Sequence, residues 1–91
     1  MTKKRTIGVI GLGHVGAHVA YSLAVQGVAD ELLLVDQNEQ KLASEVQDLR
    51  DAAAYLPHRV IVRAADFEEL GGCDVIVNSV GKIELLRGTH D

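Results

Sequence analysis

Three glycines and one aspartate carry the clearest chemistry in this chain of 91 residues. Gly11-Leu12-Gly13-His14-Val15-Gly16 reads GxGxxG, and Asp36 stands twenty positions beyond the last glycine. In such a turn Gly11 permits the tight bend, Gly13 lets the backbone approach a pyrophosphate, and Gly16 lets the following helix pack closely. A carboxylate at that distance accepts hydrogen bonds from a ribose diol and repels a 2′-phosphate, which selects NAD over NADP. The remaining reactive side chains form no comparable pattern. His14 and His18 stand four apart but no third metal ligand follows nearby, and His14 reads as an exposed side chain at a helix start. Nothing places a base beside Cys73, which reads as a small apolar filler, and Glu68-Glu69 read as a solvated turn.

The glycines need particular elements around them, and the sequence supplies each. Thr6 to Ile10 is an apolar run of strand length immediately before the turn. After it Val15, Val19 and Leu23 recur at helical spacing beside Gly16, Ala20 and Ala24, and Gly27 offers a helix end. Glu31 to Val35 forms a second strand closed by Asp36. Asn38 can cap a second helix whose stripe is Leu42, Val46, Leu49, Ala53 and Leu56, ended by Pro57. The opposite face, with Glu39, Lys41, Glu45, Arg50 and Asp51, reads as solvated.

Arg59 to Arg63 is a third strand, rich in β-branched residues. A loop or single helical turn at Asp66 to Leu70 leads through Gly71-Gly72 to a fourth strand, Asp74 to Asn78. The runs are continuously apolar, as in strands covered on both faces. With right-handed crossovers the expected fold is α/β, a Rossmann-type doubly wound parallel sheet with strand order 3-2-1-4. Residues 1–91 are expected to be the amino-terminal part of a longer NAD-binding domain, because only four of six strands are present and the outer edge of the apolar fourth strand is left without a partner.

Composition agrees with a globular chain: 47% apolar and 24% charged residues, nine Gly and one Pro. A formal charge of -4 offers no basic face for nucleic acid. The single cysteine cannot form an internal disulfide, which fits a reducing, cytoplasmic setting. Lys3-Lys4-Arg5 before an apolar run mimics a signal peptide or membrane anchor, but His14, His18, Tyr21 and Gln26 interrupt it. The basic residues read as a solvated start.

GLGHVG at Gly11 to Gly16, LLLVD at Leu32 to Asp36, QDLRDA at Gln47 to Ala52 and DVIVNSVG at Asp74 to Gly81 together resemble the lactate and malate dehydrogenase family. Within it the chain most resembles the bacterial L-2-hydroxyisocaproate dehydrogenases. The resemblance implies an NAD-dependent oxidoreductase interconverting an L-2-hydroxy acid and a 2-oxo acid by hydride transfer. It also implies that Gly11, Gly13, Gly16 and the Val15 amide hold the pyrophosphate and Asp36 the adenosine ribose. Lys41 and Phe67 match a lysine and an aromatic beside the adenosine half, and Ser79 and Gly81 line the path to the nicotinamide. The helix carrying Asp48 and Leu49 packs in this family against a second subunit, which implies a homo-oligomer, a dimer or tetramer when full length.

The family's catalytic histidine, its orienting aspartate and the carboxylate-clamping arginine have no match in these residues, so none of His14, His18, His58 or His90 is catalytic by this resemblance. Gly81 to Asp91 correspond to a substrate loop whose polarising arginine falls near His90 or beyond Asp91, with Arg87 as a substitute. That departure from the lactate and malate versions favours a bulkier, apolar 2-oxo acid. The alternatives are lactate or malate dehydrogenase proper, or a regulatory NAD-sensing module, which shares the strand, the GxGxxG turn and the acidic second strand.

Overall fold

The computed structural model describes residues 4–80. Four parallel strands form one sheet: β1 (Thr6–Ile10), β2 (Glu31–Val35), β3 (Ile61–Ala64) and β4 (Val75–Asn78), in the order β3-β2-β1-β4. The expected order is therefore observed, and Val9 of β1 pairs with Leu34 on one side and Val77 on the other. Two helices, α1 (His14–Gln26) and α2 (Glu39–Ala53), are the β1–β2 and β2–β3 crossovers. A 3₁₀ turn over Phe67–Gly72 precedes β4.

Alternation along the strands divides the core. Ile7, Val9, Leu32 and Leu34 point to the helices and pack with Ala20, Ala24, Val46 and Leu49. Leu33 and Val35 point to the other face, where they meet Ala65, Leu70, Ile10 and Cys73. Continuous apolar runs thus fit β1 and β2. The outer strands depart from the expectation of cover on both faces: Ile61 is exposed in β3, and Val75 and Ile76 of β4 are 52% and 47% exposed.

α1 also departs from its apolar stripe. Gly16, Ala20 and Ala24 are its buried residues, while Val15 is 54% exposed. Small residues face inward because the helix must come close to the sheet; Val15 and Val25 are left outside, and Leu23 is half-buried against the core. At its end Gly27 adopts φ +68, a left-handed value suited to glycine, and donates to the Ala24 carbonyl. The His58 Nε2 lies 2.7 Å from the same carbonyl; since a carbonyl only accepts, Nε2 carries the proton.

α2 begins at Asn38, whose side chain accepts from the Lys41 N–H as expected. It stops at Ala53, short of Pro57; Leu56 lies beyond it and still packs on the core. Past Ala53 the chain tightens into turns, with the Tyr55 N–H donating to the Ala52 carbonyl and the Leu56 N–H to the Ala53 carbonyl, and proline disfavours helical backbone at Leu56, the residue before it. β3 starts two residues later than expected, at Ile61, so Arg63 becomes internal.

Several charges are engaged, among them Arg5, Arg50 and Glu69, which read as solvated in the sequence. Arg5 donates to the Asp30 carboxylate and, at 3.2 Å, to the Gly27 carbonyl, joining β1 to the end of α1. Arg63 bonds Glu31 at 2.8 Å and Glu69 at 3.0 Å, and Glu69 also accepts the Asp66 N–H. Arg50 donates to the Val62 carbonyl at 2.7 Å. Among the described residues no helix is long and apolar enough to cross a membrane.

Candidate functional site

At the carboxyl ends of β1, β2 and β4 a cleft of about 500 Å³ opens, lined by Ile10, Gly11, Gly13, Asp36, Gln37, Lys41, Phe67, Asn78, Ser79 and Val80. Strand order reverses at this point: from β1 the chain steps to β2 and β3 on one side, then crosses to β4 on the other. Ligands of open α/β sheets bind at such switch points.

The glycine turn is held from both flanks. The Gly11 N–H donates to the Val35 carbonyl at 2.8 Å, and the Leu12 N–H donates to Asp36 Oδ2 at 2.6 Å. On the β4 side Ser79 Oγ lies 2.9 Å from the Ile10 carbonyl and 2.7 Å from the Gly11 carbonyl. Gly11 itself has φ +84, a conformation that excludes most side chains.

The three glycines answer to different neighbours. A side chain at Gly16 would overlap the Gly11 carbonyl, so Gly16 sits behind the turn and outside the cleft lining. At Gly13 an added Cβ would meet no protein atom within 4 Å, and its φ of -65 is open to any residue. The protein among its described residues gives no steric reason for glycine there. A phosphate approaching the backbone does, and this is the observation on which the fit to a dinucleotide rests.

Gly13 is also the cap of α1 and brings no side chain to its amides. The first intrahelical bond runs from the Ala17 N–H to the Gly13 carbonyl, so the amides ahead of Ala17, that of Val15 included, have no partner within the helix. Those groups and the helix dipole make an anion cradle. The Val15 side chain points away into solvent.

Asp36 completes the rim. Burial opposes its charge, but N–H groups of Asn38, Leu12 and Gln37 and the Lys41 ammonium prevail and hold the carboxyl below its ordinary value. Asn38 N donates to Oδ1 at 2.8 Å and Leu12 N to Oδ2, and a carboxylate's several lone pairs leave it able to accept from a diol. Lys41, Gln37 and exposed Phe67 surround it.

Of the residues expected at the site, Gly11, Gly13, Asp36, Lys41, Phe67 and Ser79 are brought to one cleft. Gly16 supports it from behind. Gly81, Arg87 and His90 lie outside the described residues. Ile10, Gln37, Asn78 and Val80 line it without having been singled out, although each ends a strand or stands two residues past one, the region from which a switch-point cleft is lined. His14 and His18 are exposed on α1, and burial raises the Cys73 thiol pKa, as for an inert filler.

Fold and cleft define a dinucleotide-binding α/β domain. The family described as lactate/malate dehydrogenase, NAD binding domain, matches residues 5–83. The chain belongs to this family, and NAD is its cofactor. Over 83 residues it is 43% identical to an L-lactate dehydrogenase of Fusobacterium nucleatum, covering 91% of this chain and 26% of the relative. A malate dehydrogenase of Nitratiruptor sp. is 39% identical over 89% of this chain and 26% of its own length. In the solved structure of a minor L-lactate dehydrogenase from Enterococcus mundtii, the fold superposes with TM-score 0.81 at 35% identity, covering 86% of this chain and 25% of that one. The chain spans about a quarter of the length of the relatives it matches.

Proposed function

We propose that this chain supplies the nucleotide-binding part of an NAD-dependent L-2-hydroxy acid dehydrogenase, with residues 1–91 as the amino-terminal part of its NAD-binding domain. The observation that carries the reading is the glycine at position 13, which no described protein atom requires and a pyrophosphate does. Gly11, Gly13 and the Val15 amide hold the pyrophosphate, with Gly16 setting the close packing behind them. Asp36 accepts the adenosine ribose hydroxyls, with Lys41 and Phe67 beside the adenosine half and Ser79 and Gly81 toward the nicotinamide. When bound, NAD takes the hydride from the hydroxy acid, or NADH returns it to the oxo acid. The residues of this chain bind and orient it, and by the family resemblance the proton-accepting histidine comes from outside these 91 residues.

The named relatives act on lactate and malate. For this chain the substrate we favour has a bulky apolar side chain, a reading that rests on the L-2-hydroxyisocaproate dehydrogenase resemblance and the divergent sequence from Gly81 onward. A homo-oligomer is proposed with it, supported by a groove of about 250 Å³ between α1 and α2 that Tyr21, Glu45, Asp48 and Leu49 help to line. A cytoplasmic setting is supported by the single thiol.

The test is calorimetric titration of the chain with NADH and NADPH, followed by assay of the complete enzyme with L-lactate, L-malate and L-2-hydroxyisocaproate. NADH binding with NADPH excluded, and turnover fastest with the bulky acid, is expected. Equal binding of the two nucleotides would sink the role of Asp36; preference for lactate or malate would sink the substrate assignment.

A further inference from the structure

The hydroxyl of Ser79 faces the backbone of the glycine turn. Its Oγ is 2.7 Å from the Gly11 carbonyl and 2.9 Å from that of Ile10, and carbonyls only accept, so its one proton is shared between them. The Ser79 N–H donates to the Ile10 carbonyl as well, at 3.0 Å. The Gly11 carbonyl that receives this proton is also the one Gly16 must clear: a Cβ at Gly16 would lie 2.7 Å from Ser79 Oγ besides overlapping the carbonyl. Ser79 and Val80 in turn crowd the place a Gly11 side chain would take. Gly11 is therefore clasped from both sides: its N–H by the Val35 carbonyl at the end of β2, and its carbonyl by the Ser79 hydroxyl just beyond β4.

We propose that Ser79 is a positioning residue for the phosphate turn: its hydroxyl fixes the Gly11 carbonyl so that the amides from Gly13 onward keep the geometry that receives the pyrophosphate. This inference rests on the NAD reading above and adds a part for Ser79 that contact with the cofactor does not supply. The bond belongs to β4, so it also ties the turn to the strand end from which the chain runs on toward Gly81.

Three forms of the chain, native, Ser79→Ala and Ser79→Thr, are titrated with NADH at a temperature where each is fully folded by circular dichroism. Ser79→Ala weakens binding roughly tenfold, the net worth of one hydrogen bond, and Ser79→Thr, which keeps the hydroxyl, restores it. Affinity unchanged in Ser79→Ala, or lost equally in Ser79→Thr, overturns the proposal. In parallel, amide hydrogen exchange of Leu12 is followed without nucleotide, because its N–H is bonded within the turn to Asp36. Exchange faster in Ser79→Ala alone supports the clasp, and exchange identical in all three forms refutes it. A native chain that does not bind NADH refutes the NAD reading, and the exchange measurement then decides the clasp by itself.

Discussion

The front and the back of one glycine turn obey opposite requirements. Behind it, Gly16 is glycine because the protein has filled the space: the Gly11 carbonyl stands where a methyl group would be. In front, Gly13 is glycine although the space is open, with no described protein atom within 4 Å of an added Cβ. The same residue type in one hexapeptide thus answers a packing constraint at one position and no steric constraint from the described residues at the other, where the proposed reading seats the pyrophosphate. Structure separates the two roles, and substitutions should separate them experimentally.

The largest effect is expected at the back. Gly16→Val drives a side chain into main-chain atoms that cannot rotate away, and we expect a loss of at least about 3 kcal/mol in stability, read as a chain that no longer melts cooperatively. Gly13→Val should do the converse. The cap position loses about 1 kcal/mol, while NAD binding falls below detection in calorimetry because the side chain occupies the pyrophosphate's place. A Gly13→Val protein that still binds NAD would dissolve the contrast between front and back.

Asp36→Ala tests the rim between them. It removes an acceptor for the ribose and one for the Leu12 N–H, and affinity for NAD should drop by about 1 to 3 kcal/mol with a smaller fall in melting temperature. The smallest effect concerns pH. Asp30 and Glu31 are held below their ordinary carboxyl values by hydrogen bonds from Arg5 and Arg63 respectively, Glu69 by the Asp66 N–H, and Asp36 by the backbone donors that outweigh its burial. A depressed folded-state pKa contributes stability above the unfolded value, about pH 4, that is lost as pH falls through the folded one. Melting temperature should therefore hold level from neutrality to about pH 5 and fall below pH 4, with part of the fall removed in Glu31→Gln.

Much of this was legible before any coordinates. The glycine turn sits between a strand and a helix, Asp36 ends the next strand, and Asn38 caps the next helix, each a local matter of residue type and spacing. The order 3-2-1-4 followed from connection handedness applied to those elements. The errors lie where one element depends on another. Leu56 continues the periodic stripe of α2 but Pro57 removes it from the helix, and spacing alone does not say that Val15 is exposed while Gly16, Ala20 and Ala24 are the buried residues of α1. Arg5, Arg50 and Arg63 look like ordinary surface charges along the chain, and they find the Gly27 carbonyl, the Val62 carbonyl and Glu31 only because the sheet and its helices bring those segments together.

By itself the sequence determined the elements, the dinucleotide-binding turn and the acid that accompanies it, because these depend on backbone conformation and on spacing within some thirty residues. The tertiary structure alone decided which atoms stand around those glycines, the Gly11 carbonyl against Gly16 and open space before Gly13, and that Ser79 turns its hydroxyl on the Gly11 carbonyl, sixty-eight residues away in sequence. Such contacts are set by the parallel pairing of β1 with β4, and no pattern local to either strand encodes which atoms that pairing brings together.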